Sequence, residues 1–155
     1  MASLLAVDVG VRTGLASFDD DGRLRWYRSQ NFGSAARLRR ALPALLTADA
    51  DLSHVVLEGG GAIADSWESE ATKRHLEVTR VTAEEWRSTF LLPREQRSGA
   101  QAKETAGRLA RAIIDWSDAR RPTSLRHDAA EAIMIGLWGA LHLRWLRRLP
   151  PGLLR

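Results

Sequence analysis

The chain has 155 residues, 45% hydrophobic and 27% charged, which suits one folded domain with a substantial core and excludes a disordered protein. It contains no cysteine, so disulfides and thiolate metal sites are excluded and the cytoplasm is the expected compartment. No apolar run reaches membrane-spanning length, and Met1-Ala2-Ser3 lacks the basic region of a signal peptide. Basic residues outnumber acidic ones, 23 to 19, and only Lys73 and Lys103 among them are lysines. The arginine excess suits phosphate recognition and equally follows from a GC-rich genome. From Arg120 onward seven arginines accompany just two acids, Asp128 and Glu131.

The first apolar run, Leu4 to Val9, is interrupted by Asp8 and followed by a turn with Gly10 and Gly14. A second run returns through Leu15 to Phe18 and ends in the polar turn Asp19-Asp20-Asp21-Gly22, so two strands are predicted. Leu24 to Gln30 forms a third strand, antiparallel to the second. Gly33-Ser34 opens a helix with Leu38, Leu42, Leu45 and Leu46 as its core stripe, weakened in its later turns by Pro43. His54 to Glu58, ahead of Gly59-Gly60-Gly61, reads as a buried parallel strand whose end carries a site. Residues 65–75 make a short helix, and 77–81 a fifth strand. Thr82 and Glu85 form a capping box for a helix over 83–91. Residues 93–102 are the expected basic loop, followed by a helix from Lys103 to Trp116 and a last helix from about Asp128 to Leu146. The expectation is one domain over 1–146, a mixed five-stranded α/β sheet with helices on both faces, and a loose basic tail over 147–155.

Four acids carry the chemistry. Asp8 interrupts a buried strand and Glu58 ends another; if those strands are neighbours, their acids lie about 5 Å apart. Asp128 and Glu131, three apart at a helix start, project from one face. Four clustered carboxylates with no nearby lysine need cations, and oxygen-only ligands point to Mg²⁺ or Mn²⁺. Two such ions can activate water and stabilise a leaving oxygen in phosphodiester cleavage. Each acid also has a plainer reading: Asp8 as a turn former, Asp128 and Glu131 as partners of a positive helix end. His127 is a ligand, a phosphate contact or an ordinary helix-start residue. Trp67, following the glycines, is placed to stack on a base.

Leu5-Ala6-Val7-Asp8-Val9-Gly10 with Thr13-Gly14, then Val55-Val56-Leu57-Glu58, then Asp128-Ala129-Ala130-Glu131-Ala132-Ile133 resembles the RuvC family of Holliday junction resolvases, which belongs to the ribonuclease H-like nucleases. Ser98 to Lys103 is similar to that family's basic loop and lysine. The resemblance spans residues 4 to about 140. It implies a ribonuclease H-like fold, with Asp8, Glu58, Asp128 and Glu131 binding two Mg²⁺ ions (Mn²⁺ substituting). It further implies a water nucleophile, products with a 5′ phosphate and a 3′ hydroxyl, and a homodimer acting on branched DNA. Lys103 and Arg97 would approach the DNA backbone, with Arg12, Trp67 and Lys73 as further contacts. The fourth acid is Glu131 where the family usually has Asp. In an alternative register Asp128 is the final acid and Leu125 takes the preceding position. The segment between Glu58 and Val78, which helps form the family's dimer, is short here.

Three other readings compete: an RNA-processing ribonuclease H-like nuclease of YqgF type, an inactive nucleic-acid-binding module of the same fold, and a sugar-kinase or actin-like ATPase. Glu58 and the Asp-Ala-Ala-Glu helix start favour the resolvase over the first. The presence of all four acids argues against the second, and the two domains an ATPase needs argue against the third.

Overall fold

Hydrophobic residues occupy both sides of the first strand, as a central strand requires. The computed structural model describes residues 1–153. It contains one five-stranded sheet of order β3-β2-β1-β4-β5, built from β1 (Ser3–Asp8), β2 (Arg12–Asp19), β3 (Leu24–Asn31), β4 (Leu52–Glu58) and β5 (Glu77–Val81). The first three strands are an antiparallel meander; β4 runs parallel to β1, and β5 parallel to β4. The β2–β3 turn is held by Asp19, whose Oδ1 accepts from the N–H groups of Asp21 (3.0 Å) and Arg23 (3.1 Å).

Helices α1 (Ala35–Thr47) and α2 (Gly61–Lys73) cover one face of the sheet; α3 (Ala83–Phe90), α4 (Gly99–Ser117) and α5 (His127–His142) cover the other. Leu5, Val7, Leu15, Val55 and Leu57 point toward the first pair of helices and meet Leu38, Leu42 and Trp67. Leu4, Ala6, Ala16, Phe18 and Val56 point the other way and meet Leu109, Ile113, Ile133 and Leu137. The alternation is the period of two that a strand imposes. Helix α5 lies close against the sheet because Gly136 has no side chain; a Cβ there would sit 2.2 Å from a ring carbon of Phe18.

The five predicted strands all form, and both capping-box hydrogen bonds at Thr82 and Glu85 are made at 3.1 Å. Several helix limits differ from expectation. Helix α1 passes through Pro43 to Thr47, because the stripe of Leu38, Leu42 and Leu46 is buried on both sides of the proline. Helix α2 begins at Gly61 rather than at 65. The expected loop 93–102 is largely ordered: Pro93–Gln96 is a 3₁₀ turn, and α4 starts at Gly99, where Ser98 accepts from the Gln101 N–H. Helix α5 stops at His142, not 146. Arg144 takes a left-handed conformation (φ 61°), and the Arg144 and Trp145 N–H groups close back on Leu141 and Ala140. Part of the tail expected to be loose is packed. Pro151–Leu153 forms a 3₁₀ turn against α4 with Leu153 buried, while 154–155 lie outside the described residues. Among the described residues, no helix is long and apolar enough to cross a membrane.

Candidate functional site

Parallel strands end at the same edge of a sheet, so β1 and β4 deliver their last residues side by side. Asp8 and Glu58 are direct partners in the ladder, and the Val9 N–H donates to the Glu58 carbonyl at 3.0 Å. On the other side of β1, Asp8 pairs with Gly14 of β2. Gly14 lets α5 come down over this edge: a Cβ there would lie 1.9 Å from the Asp128 carbonyl oxygen. The first turn of α5 thus brings Asp128 and Glu131 to the two strand-end acids. Asp128 is held by Ser29 of β3, whose hydroxyl donates to Oδ2 at 2.7 Å, and its Oδ1 accepts from the Ala129 N–H at 3.0 Å. Glu131 Oε1 lies 3.3 Å from Arg87 Nη2, contributed by α3.

The four carboxylates act on one another. Burial, followed by the charges of Glu131, Glu58 and Asp128, pushes the Asp8 carboxyl up to about 8. Burial also raises Glu58. The hydrogen bond it accepts from Asp8 and the Arg87 charge work the other way, while Glu131 adds to the rise. Near neutral pH, Asp8 and Glu58 therefore share a proton that sits on Asp8. Arg87 supplies positive charge from within the fold; its Nε is buried without a hydrogen-bond partner.

A cation would do what that proton does. The donors are all carboxylate oxygens, which fits a hard ion such as Mg²⁺ or Mn²⁺. Among the described residues, however, no three acidic or histidine side chains are already arranged to hold an ion. Ser29 holds Asp128, and Arg87 holds Glu131.

Asp8, Asp128 and Glu131 line a cleft of about 360 Å³ that also receives Arg12, Lys103, Arg126 and His127. Three predicted contacts, Arg12, Lys103 and His127, are thus brought to the acids. Three are not. Arg97 is exposed at the end of the 3₁₀ turn, outside the cleft lining. Lys73 ends α2 and lines a separate surface groove with Asp65, Glu68 and Arg80. Trp67 is 0% exposed, packed under the sheet with Leu5 and Val7, so the base-stacking role expected for it is wrong. Ser29, Arg87 and Arg126 were not singled out from the sequence. Arg126 stands just before the predicted helix start, a position the sequence marks; Ser29 and Arg87 join the site through partners 99 and 44 residues away.

No protein-family model matches the sequence, and no curated protein does. Solved structures do. RuvC of T. thermophilus, in complex with a Holliday junction substrate, superposes over 93% of this chain and 96% of its own, with 16% identity and a TM-score of 0.65. The yeast mitochondrial Holliday junction resolvase Ydc2 superposes over 93% of this chain and 82% of its own, with 9% identity and a TM-score of 0.59. At such identities the likeness speaks for architecture. Together with the mixed sheet order and the helices on both faces, it shows that this chain has the α/β ribonuclease H-like fold of those two resolvases.

Proposed function

We propose that the chain is a divalent-metal-dependent endonuclease that hydrolyses phosphodiester bonds in branched DNA. The observation that carries this reading is the in-register pairing of Asp8 with Glu58 beneath Asp128 and Glu131, with the Asp8 carboxyl pushed up to about 8 by burial and by the neighbouring carboxylates. Asp8, Glu58, Asp128 and Glu131 would hold the metal. Glu131 lines the same cleft as Asp8 and Asp128, which supports it as a ligand over the register that ends at Asp128. Bound Mg²⁺ supplies an acidified water and charge stabilisation at the leaving oxygen.

The protein's own groups do the remaining work. Lys103, Arg12 and Arg126 flank the acids and can take phosphates on either side of the scissile bond. Ser29 keeps the Asp128 carboxylate in one rotamer. Arg87 holds Glu131 until a cation competes for it. Branched DNA is preferred as substrate because the superposing bacterial structure carries a Holliday junction. Paired cuts in such a junction need two sites, so a homodimer forms part of the proposal.

The test is cleavage of a labelled four-way DNA junction, against duplex and single-stranded DNA, in Mg²⁺ and in Mn²⁺, with Asp8→Asn as control. Paired symmetric nicks that vanish in the variant are expected. Cutting of RNA alone, or binding without cutting in either metal, would overturn the reading.

A further inference from the structure

A second groove on the described surface lies beside the acidic cleft. It has a volume of about 570 Å³ and runs between Arg25, Trp26 and Tyr27 of β3 and the connection from Arg120 to Ser124 that links α4 to α5. Its wall is fixed by Tyr27, whose hydroxyl donates to the Arg120 carbonyl. Its charge is positive. The Arg120 guanidinium has no carboxylate partner among the described residues, and Arg121 has only Asp115, at 3.1 Å, in a pair whose side chains are 81% and 59% exposed. An ion pair so solvated binds its arginine weakly and leaves it free to exchange partners. Arg25 is paired with Asp49 at 2.8 Å and is the least available of the three.

Two features join this groove to the acids. Along the connection, the groove lining stops at Ser124 and the cleft lining begins at Leu125. Along β3, Ser29 touches Asp128, Tyr27 lies two residues back and Arg25 four. At the rise of a strand, those steps are about 7 and 14 Å. Arg120 sits at the Tyr27 step, so a DNA backbone engaged at the acids would reach the groove within a few nucleotides.

We propose that this groove is an accessory binding site for the phosphodiester backbone of one double-stranded arm of the DNA substrate, with Arg120 and Arg121 as its phosphate contacts. Arginine forks match phosphate oxygens, two of them sit on a wall braced by Tyr27, and the track leads out of the cleft instead of across it. The inference rests on the nuclease reading above and adds to it a requirement for arm length.

The experiment measures binding of four-way junctions with arms of about 12 or about 4 base pairs over a range of salt concentrations. The full chain carrying Asp8→Asn is used so that nothing is cut. Adding Arg120→Ala with Arg121→Ala is expected to weaken long-arm binding about tenfold, and to lower the slope of log K against log salt by about two. Short-arm binding should be unaffected. Arg37→Ala with Arg40→Ala, on exposed positions of α1 across the sheet, removes equal charge and should leave the slope unchanged. An unchanged long-arm slope in the Arg120 and Arg121 variant, an equal loss in the α1 variant, or a changed oligomeric state with the slope intact would overturn the proposal while leaving the nuclease reading standing. Failure of the chain to bind any junction before the arginines are replaced would remove that reading, and the groove's role with it.

Discussion

At Asp8, burial and three neighbouring carboxylates all act against ionisation. The carboxyl titrates near 4 in an unfolded chain and at about 8 in the folded one. The protonated form is thus favoured by folding; this stability is complete below pH 4 and is lost as the pH rises through 8. Without metal, the protein should melt at lower temperature at pH 9 than at pH 5. Asp8→Asn should flatten that slope and raise the metal-free melting temperature at pH 8, by roughly 2–12 °C for about 1–3 kcal/mol. Calorimetry in the presence of a chelator reads both, and an equally steep pH dependence in the variant would refute the assignment. Adding Mg²⁺ should raise the melting temperature of the unsubstituted chain and leave Asp8→Asn nearly unmoved. Arg87 works in the opposite sense. Arg87→Gln leaves Glu131, with a side chain only 14% exposed, facing the other acids without its counter-ion. A loss of about 1–3 kcal/mol in urea denaturation at pH 7 without metal is expected. An unchanged midpoint would show the pair to be idle.

Helix α5 reaches the acids only because β2 has no side chain at Gly14. In Gly14→Ala the added methyl meets a backbone carbonyl, which no rotamer change can relieve. The first turn of α5 must lift, at a cost of about 3 kcal/mol or more. Mg²⁺ should then stabilise the variant less than it stabilises the unsubstituted chain; equal metal stabilisation in a melting series would disprove the coupling. That contact lies in tertiary structure and was invisible beforehand, whereas the strands were legible from local pattern. Leu4 to Val7 is apolar throughout because both faces of β1 are covered, and Asp8 stood out against that run. The pairing of Asp128 and Glu131 on one helix face followed from their spacing alone. The three glycines ahead of Trp67 have the composition of an open loop, which is what makes a stacking role legible there. They lead straight into α2, where Ala64, Trp67 and Ala71 form a buried stripe at helical spacing. Ser29 and Arg87 carry no local signature, since each is defined by a distant partner.

Two hydrophobic layers share a single sheet, so each layer is stable only while the other holds the sheet in place. The segment after α5 belongs to this arrangement, with Leu153 buried against α4. Leu153→Ala should cost about 2 kcal/mol and lower the melting temperature by roughly 4–8 °C; an unaltered melt would show that the turn at 151–153 contributes nothing. The order in which the parts arise along the chain has a further consequence. Asp8 and Glu58 belong to the first half of the polypeptide, while Asp128, Glu131 and the apolar face of α5 come only near the end of the described chain. During synthesis the sheet can pair its strands and receive α1 and α2 while its other face, with Leu4, Phe18 and Val56, still waits for α5. The acidic cluster is incomplete for as long as that face is bare. Assembly of the full acidic cluster is thereby tied to completion of the fold, and a chain halted before residue 127 would carry two of the four acids and an exposed hydrophobic surface on which chaperones can act.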